Sequence, residues 1–205
     1  TLLYREPPHY ITLGKELPAK ALDEILTDHA EVFTELKEYY KQTSESDTTK
    51  ISFYEDTYSL YNLYRFAHYY EEAYGKYIWL KSGASLVIEH TEAMTVIDVN
   101  TGSVLKKKKQ EDTLFYQINR EAAKEIARQL RLRNISGIIM IDFINMKDTA
   151  QKEKLLSLLD SECKKDRVHC NVIDMTALNL VEMTRSKVRK PLHEQIRSCM
   201  KNNRS

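Results

Sequence analysis

The chain has 205 residues, with 31 Lys plus Arg against 30 Asp plus Glu and a net charge of +1. That length suits one large or two small domains with a real core, and the near-balanced charge names no partner by itself. A mean hydropathy of −0.53, with no apolar run long enough to cross a bilayer and no basic segment leading into an apolar one, predicts a cytoplasmic protein without a membrane span.

Cys163, Cys170 and Cys199 are odd in number and form no CxxC pair. They read as buried or idle thiols in a reducing compartment, not as a disulfide framework or a cysteine zinc site. A chain opening on Thr1 reads as a piece of a longer protein.

In chain order, residues 2–13 hold strand pieces around Pro7-Pro8, and residues 18–26 are short and amphipathic. Residues 30–41 predict a helix with Val32, Phe33, Leu36 and Tyr40 on one stripe. A polar loop, residues 42–50, precedes a strand at 51–54. Residues 60–77 are tyrosine-rich and helical, with Gly75 as a C-cap. That tyrosine stripe reads as core or subdomain interface in preference to a base-stacking surface. From Trp79 onward the pattern changes. ASLVIEH and AMTVIDVN are strands joined by a tight His90-Thr91-Glu92 connection, hence an antiparallel hairpin. Residues 113–133 form a long helix with Ile118, Ala122, Ile126, Ala127 and Leu130 inward. GIIMID (137–142) is a strand, 149–165 a helix, 169–175 a third core strand, and 178–200 a basic, largely helical segment. Strands alternating with helices predict an α/β layered domain starting near residue 80.

Two of these strands end in an acid: Asp98 in MTVIDVN and Asp142 in GIIMIDFIN. An ionised carboxylate in a buried strand must be paired, hydrogen-bonded or bound to a cation. Two readings stand. Each Asp caps the turn that follows its strand. Alternatively, the strands are neighbours and the pair holds Mg²⁺ or Mn²⁺, ions suited to one or two carboxylates, waters and phosphate oxygens. Asn100, two residues after Asp98, shares its strand face and can orient it or a water.

Phosphate contacts need cations. Lys106, Lys107, Lys108 and Lys109 follow the Asp98 strand directly. Arg128, Arg131 and Arg133 crowd the end of the long helix, where they also complement its dipole. Arg185, Lys187, Arg189 and Lys190 form a third cluster. Together these can track a nucleic-acid backbone, although a charge run is also what a solvated loop looks like. No Gly-rich phosphate loop is present, and no nucleophile elbow. His90 reads as a partly exposed turn histidine, and Glu92 as a structural or supporting acid.

Three blocks carry a resemblance: SGASLVIEHTEAMTVIDVNTG (82–102), INREAAKEIARQLRLRNISGIIMIDFINM (118–146) and LNLVEMTRSKVRKPL (178–192). In order and spacing they resemble the catalytic region of the ribonuclease E/G family. The resemblance implies a partial RNase H-like α/β subdomain over 1–78 and a DNase I-like catalytic subdomain over 79–190. The latter would be a layered mixed sheet flanked by helices, and a basic tail over 191–205 would follow it. It implies that Asp98 and Asp142 are the magnesium ligands and Asn100 the assisting asparagine. The implied activity is metal-assisted endonucleolytic hydrolysis of single-stranded RNA in RNA processing and decay, leaving 5′-phosphate and 3′-hydroxyl ends. The resemblance allows a homo-oligomer, and the family's zinc-linked dimers or tetramers are not assumed for this chain. The family's usual oligonucleotide-binding barrel and 5′-end sensor have no counterpart in these residues, so weak activity is expected of this piece alone. HEQIRSCMKNNRS (193–205) replaces the family's CPxCxG-type zinc link, so no zinc site is evident. The alternative from another class is a non-catalytic RNA-binding or interaction module that keeps the fold.

Overall fold

A computed structural model describes residues 8–16, 22–42, 50–102 and 111–202. Two compact units divide the chain between His68 and Tyr69.

The first unit opens with helix α1 (His9–Glu16) where strand pieces were expected. Strand β1 (Glu24–Thr27), helix α2 (Ala30–Gln42) and strand β2 (Lys50–Phe53) follow. β1 and β2 pair in parallel with Glu24 opposite Lys50, and α2 is the crossover that a parallel pair requires. Ile11, Leu36 and Tyr40 are its buried centre, packed by Val32, Ile25 and Ile51. The predicted α2 stripe is therefore the face turned to the core.

The tyrosine-rich stretch is two helices, α3 (Leu60–Leu63) and α4 (Phe66–Tyr74). Arg65 breaks it with a left-handed φ of 52°. Tyr61, Tyr64, Tyr69, Tyr70 and Tyr74 are each about half exposed. They do not form the core stripe that composition suggested.

The second unit is built on a six-stranded mixed sheet. Its strands are β3 (Tyr77–Trp79), β4 (Ser85–His90), β5 (Met94–Asn100), β6 (Gly137–Asp142), β7 (Cys170–Met175) and β8 (Leu180–Arg185), in spatial order β3-β4-β5-β6-β8-β7. β5 and β6 run parallel and the other pairs antiparallel. Helix α5 (Glu111–Leu132) connects the parallel pair, and α6 (Thr149–Cys163) leads from β6 to β7. Leu86, Ile88, Ile97, Val99, Ile139, Ile141, Val181 and Met183 alternate along the strands toward one face. There they pack with Ile118, Ala122, Ile126 and Leu130 of α5 and Leu155 and Leu159 of α6. Each such side chain contributes about 1.5–3 kcal/mol by leaving water.

The opposite face of the sheet is the more open one: it carries Tyr77, Trp79, Met94 and Ile138 at 36–73% exposure, together with both acids, although Ser85 on it is buried.

Two strand assignments differ from the sequence reading. Residues 180–185 are strand β8, not helix, because Val181, Met183 and Arg185 are buried alternately with the half-buried Glu182 and Thr184. That period of two is what a strand requires. Only α7 (Leu192–Asn202) is helical in this region. β7 is an edge strand, not a core strand, and its outer residues are exposed. Among the described residues no helix is long and apolar enough to cross a membrane. Cys163 and Cys170 are free thiols.

Candidate active site

The parallel β5–β6 ladder pairs Met94 with Ile138 and, four residues on, Asp98 with Asp142. Parallel strands present their carboxyl ends at one edge of the sheet, which is where open α/β sheets bind ligands. Directly opposed residues point to the same face. The two carboxylates therefore face each other on the open side, at the edge where both strands stop. The crossover through α5 brings together residues 44 positions apart, which spacing alone does not do.

Asn100 lies on the same face, and its Nδ2 donates to Asp98 Oδ2 at 2.7 Å. That bond fixes the rotamer of Asp98 and leaves its other oxygen for a ligand. Burial, and then the neighbouring Asp98 charge, raise the Asp142 carboxyl above its ordinary pKa. The pair is thus a concentration of negative charge, and among the described residues no ion pair to either acid is formed.

The two acids line an open cleft of about 300 Å³ with Asn100, Thr101, Ile144, Asn145, Leu178 and Asn179. Its donors are hard oxygens: two carboxylates and several amides. That set fits Mg²⁺ or Mn²⁺, which accept one or two carboxylates and fill the remaining positions with waters and substrate oxygens. Among the described residues no group of three or more His, Cys, Asp or Glu stands together.

Three further residues shape the cleft and escaped sequence reasoning. Asn119, wholly buried on α5, clamps the loop after Asp142. Its Nδ2 donates to the Ile144 carbonyl at 2.7 Å and its Oδ1 accepts from the Ile144 amide at 3.0 Å. Asn179 takes a left-handed φ of 65° in the turn entering β8. Lys152 of α6 donates to its side-chain oxygen at 2.6 Å, placing an ammonium at the cleft's rim. A buried Asn on a helix stripe is the one signal that was available for Asn119. For Lys152 no sequence signal existed. Gly102, just past the cleft, has φ +57°, and a Cβ there would meet the Gly83 carbonyl at 2.6 Å. Only glycine lets the chain leave β5 so close to the β3–β4 turn.

Among the described residues, Arg128, Arg185, Lys187 and Arg189 are not gathered around the acids. Arg128 is on α5, on the helix-covered side of the sheet, where Glu72 and Glu125 meet its guanidinium. Arg185 ends β8 beside Gly137, at the opposite end of β6 from Asp142. It is buried, with Nε on Asp166 at 2.9 Å and Nη1 on the Ile135 carbonyl at 2.9 Å. Lys187 and Arg189 follow it at that far end, and Lys187 pairs with Glu194 at 3.7 Å. Lys106, Lys107, Lys108 and Lys109 lie outside the described residues, as does the side chain of Cys199.

His90 is partly exposed as expected, but it ends strand β4 and does not lie in the turn. It stacks on His193 of α7 with ring centroids 3.8 Å apart. Burial, His193 and Arg133 push its pKa down to about 4, so it stays neutral. It stands at the opposite end of β5 from the acids, beside Thr95.

Two outcomes follow from this geometry. Asn119→Ala leaves the Ile144 amide and carbonyl without partners, so it should cost about 2–4 kcal/mol. A denaturant midpoint lowered at unchanged slope is the expected reading, and a loss under about 0.5 kcal/mol would refute the clamp. For Asp142 the folded pKa lies above the unfolded one. Its contribution to stability is therefore full below the unfolded pKa and declines as pH rises through the folded value. In EDTA, Asp142→Asn should unfold no earlier than the parent chain at neutral pH, and the difference should close in acid. Circular dichroism melts across that range check this, and a variant less stable at neutral pH contradicts it.

The chain is similar to known proteins over most of its length. A family model described as the Ribonuclease E/G family matches residues 1–188. Ribonuclease G of Haemophilus influenzae is 37% identical over 190 residues, covering 93% of this chain and 38% of that protein. Ribonuclease G of Escherichia coli K12 is 38% identical over 171 residues, covering 83% and 35%. Ribonuclease E of Nostoc sp. is 32% identical over 196 residues, covering 94% and 28%. The chain spans between 28% and 38% of the length of these relatives. Over that span, with Asp98, Asn100 and Asp142 set side by side, it belongs to the ribonuclease E/G family.

Proposed function

We propose that this chain is the catalytic core of a magnesium-dependent endoribonuclease that hydrolyses single-stranded RNA, leaving 5′-phosphate and 3′-hydroxyl ends. The observation that carries the reading is the Asp98–Asp142 pair, opposed in register across β5–β6 with Asn100 bound to Asp98. Two carboxylates that raise each other's cost in the absence of a cation are a natural seat for a divalent one.

Asp98 and Asp142 would hold the ion. When bound, it supplies Lewis-acid charge to a phosphate oxygen and a water made acidic enough to attack at neutral pH. Asn100 keeps the Asp98 carboxylate in one orientation, and its own Oδ1 remains to accept a hydrogen bond from a water in the cleft. Asn119 holds the loop after Asp142 still, so the second ligand does not swing away. Lys152, at the rim, favours a phosphate over a neutral group. The Lys106–Lys109 run, which follows the Asp98 strand in sequence, would supply cations for the RNA backbone. Lys187 and Arg189, at the far end of the sheet, would reach only a longer strand. The open face of the sheet supports an extended substrate, because a single strand laid across it exposes its phosphates in turn.

The test is cleavage of a 5′-labelled, single-stranded, A/U-rich RNA with Mg²⁺ and with EDTA, beside Asp98→Asn. We expect magnesium-dependent cuts that fall at least about a hundredfold in the variant. The new 5′ ends should accept a kinase label only after phosphatase treatment. Equal cleavage by the variant would move the chemistry elsewhere. Salt-sensitive RNA binding without any cleavage would favour a binding module that keeps the fold.

A further inference from the structure

The rows of the sheet extend beyond the acids to its edge. β3 pairs Tyr77 with Val87 and Trp79 with Ser85. β4 continues those rows, Val87 to Asp98 and Ser85 to Asn100. Tyr77 thus stands in the row of Asp98 and Asp142, and Trp79 in the row of Asn100. Opposed residues share a face, and exposure agrees: between them Ile78 is buried at 6%, while Tyr77 is 60% and Trp79 73% exposed. Two strand spacings set β3 about 10 Å from β5. Val87 and Ser85, neither bulky nor charged, occupy the β4 positions between.

Two large rings standing open on an edge strand contribute nothing to the core, whose contacts Ile78 already makes for β3. Aromatic faces beside a phosphate-handling site suit a nucleobase, which offers a π face whatever its identity. The cations flanking this strand fit the same occupant. Lys76 Nζ lies 5.7 Å from the Tyr77 ring centroid, although Glu89 also pairs with it, and Lys81 is exposed just past Trp79. A ring to stack on, an ammonium for the adjoining phosphate and the two acids lie along two rows of one sheet face.

We propose that Trp79, supported by Tyr77, is a stacking platform for a base of the RNA strand near the phosphate held at Asp98 and Asp142. The inference rests on the endoribonuclease reading above. It makes Trp79 a positioning residue that sets where the strand lies, and it gives the site a preference for unpaired nucleotides. A base locked in a duplex cannot present its face to the indole.

Trp79 is the chain's only tryptophan, so its emission reports the platform without any chemistry. The experiment titrates the full chain, in EDTA, with a single-stranded RNA oligonucleotide carrying a 5′ dye. Tryptophan emission and dye anisotropy are followed together, and the titration is repeated with oligonucleotides carrying one abasic site at successive positions. We expect saturable quenching in step with binding, and one abasic position that restores the emission and weakens binding about tenfold. In magnesium-dependent cleavage, Trp79→Ala should raise KM by a similar factor with kcat largely kept, and Trp79→Phe should recover most of it. Binding and cleavage without any change in emission, and with the parental KM in Trp79→Ala, would overturn the platform while leaving the endoribonuclease reading in place. Quenching that follows protein concentration in the absence of RNA would overturn it in favour of a face shared between copies. Neither binding nor cleavage by the parent chain would defeat both readings together.

Discussion

Two carboxylates placed opposite each other on adjacent strands repel, and burial makes the repulsion worse. The β5–β6 register accepts that cost. Met94 to Asp98 runs in step with Ile138 to Asp142, and a slip of one residue would send either acid into the packed helix face. The apolar face of the same two strands holds the register, with Ile97, Val99, Ile139 and Ile141 buried against α5 and α6. The core thus fixes the site through the pleat: what is buried on one side determines what is opposed on the other.

Most of the remaining architecture serves that edge of the sheet. The α5 crossover makes β5 and β6 parallel, so both strands end together. Asn119 reaches from the same helix to clamp the loop behind Asp142. β4 and β8, antiparallel to their neighbours, begin where β5 and β6 end, and they deliver Gly83, Ser85, Asn179 and Leu180 to the cleft's surroundings. Arg185 does comparable work at the far end. Its guanidinium is enclosed by Asp166, Asn134 and the Ile135 carbonyl. Removing one partner of such a buried pair is costly because the other charge is left unpaired.

What the sequence disclosed follows from what is local. The strands of Asp98 and Asp142 and the α5 stripe were legible because a short apolar, β-branched run and period-3.6 burial are written in consecutive residues. Asn100 was legible because i and i+2 share a strand face. β8 was misread as helix because its basic continuation, Ser186 to Lys190, masked a six-residue alternation. The edge position of β7 is a fact of strand order, which no run of residues records. Arg185 looked like part of a surface cluster because its neighbours in sequence are exposed, while Asp166 and Asn134, its neighbours in space, are 19 and 51 positions away. Lys152 and Asn179 meet across 27 positions for the same reason. The tyrosine-rich stretch misled in the other direction. Core packing was one of its two readings, and the break at Arg65 with its half-exposed rings excludes that one.

The central claim is that the Asp98–Asp142 row seats one divalent cation. Titration of the full chain with Mn²⁺, read from the loss of the free ion's electron paramagnetic resonance signal, addresses it without RNA and without turnover. The account predicts a single site in the parent chain, displaced by Mg²⁺ and lost in both Asp98→Asn and Asp142→Asn. Equal Mn²⁺ binding by the parent chain and both variants, or none by the parent chain, would contradict it.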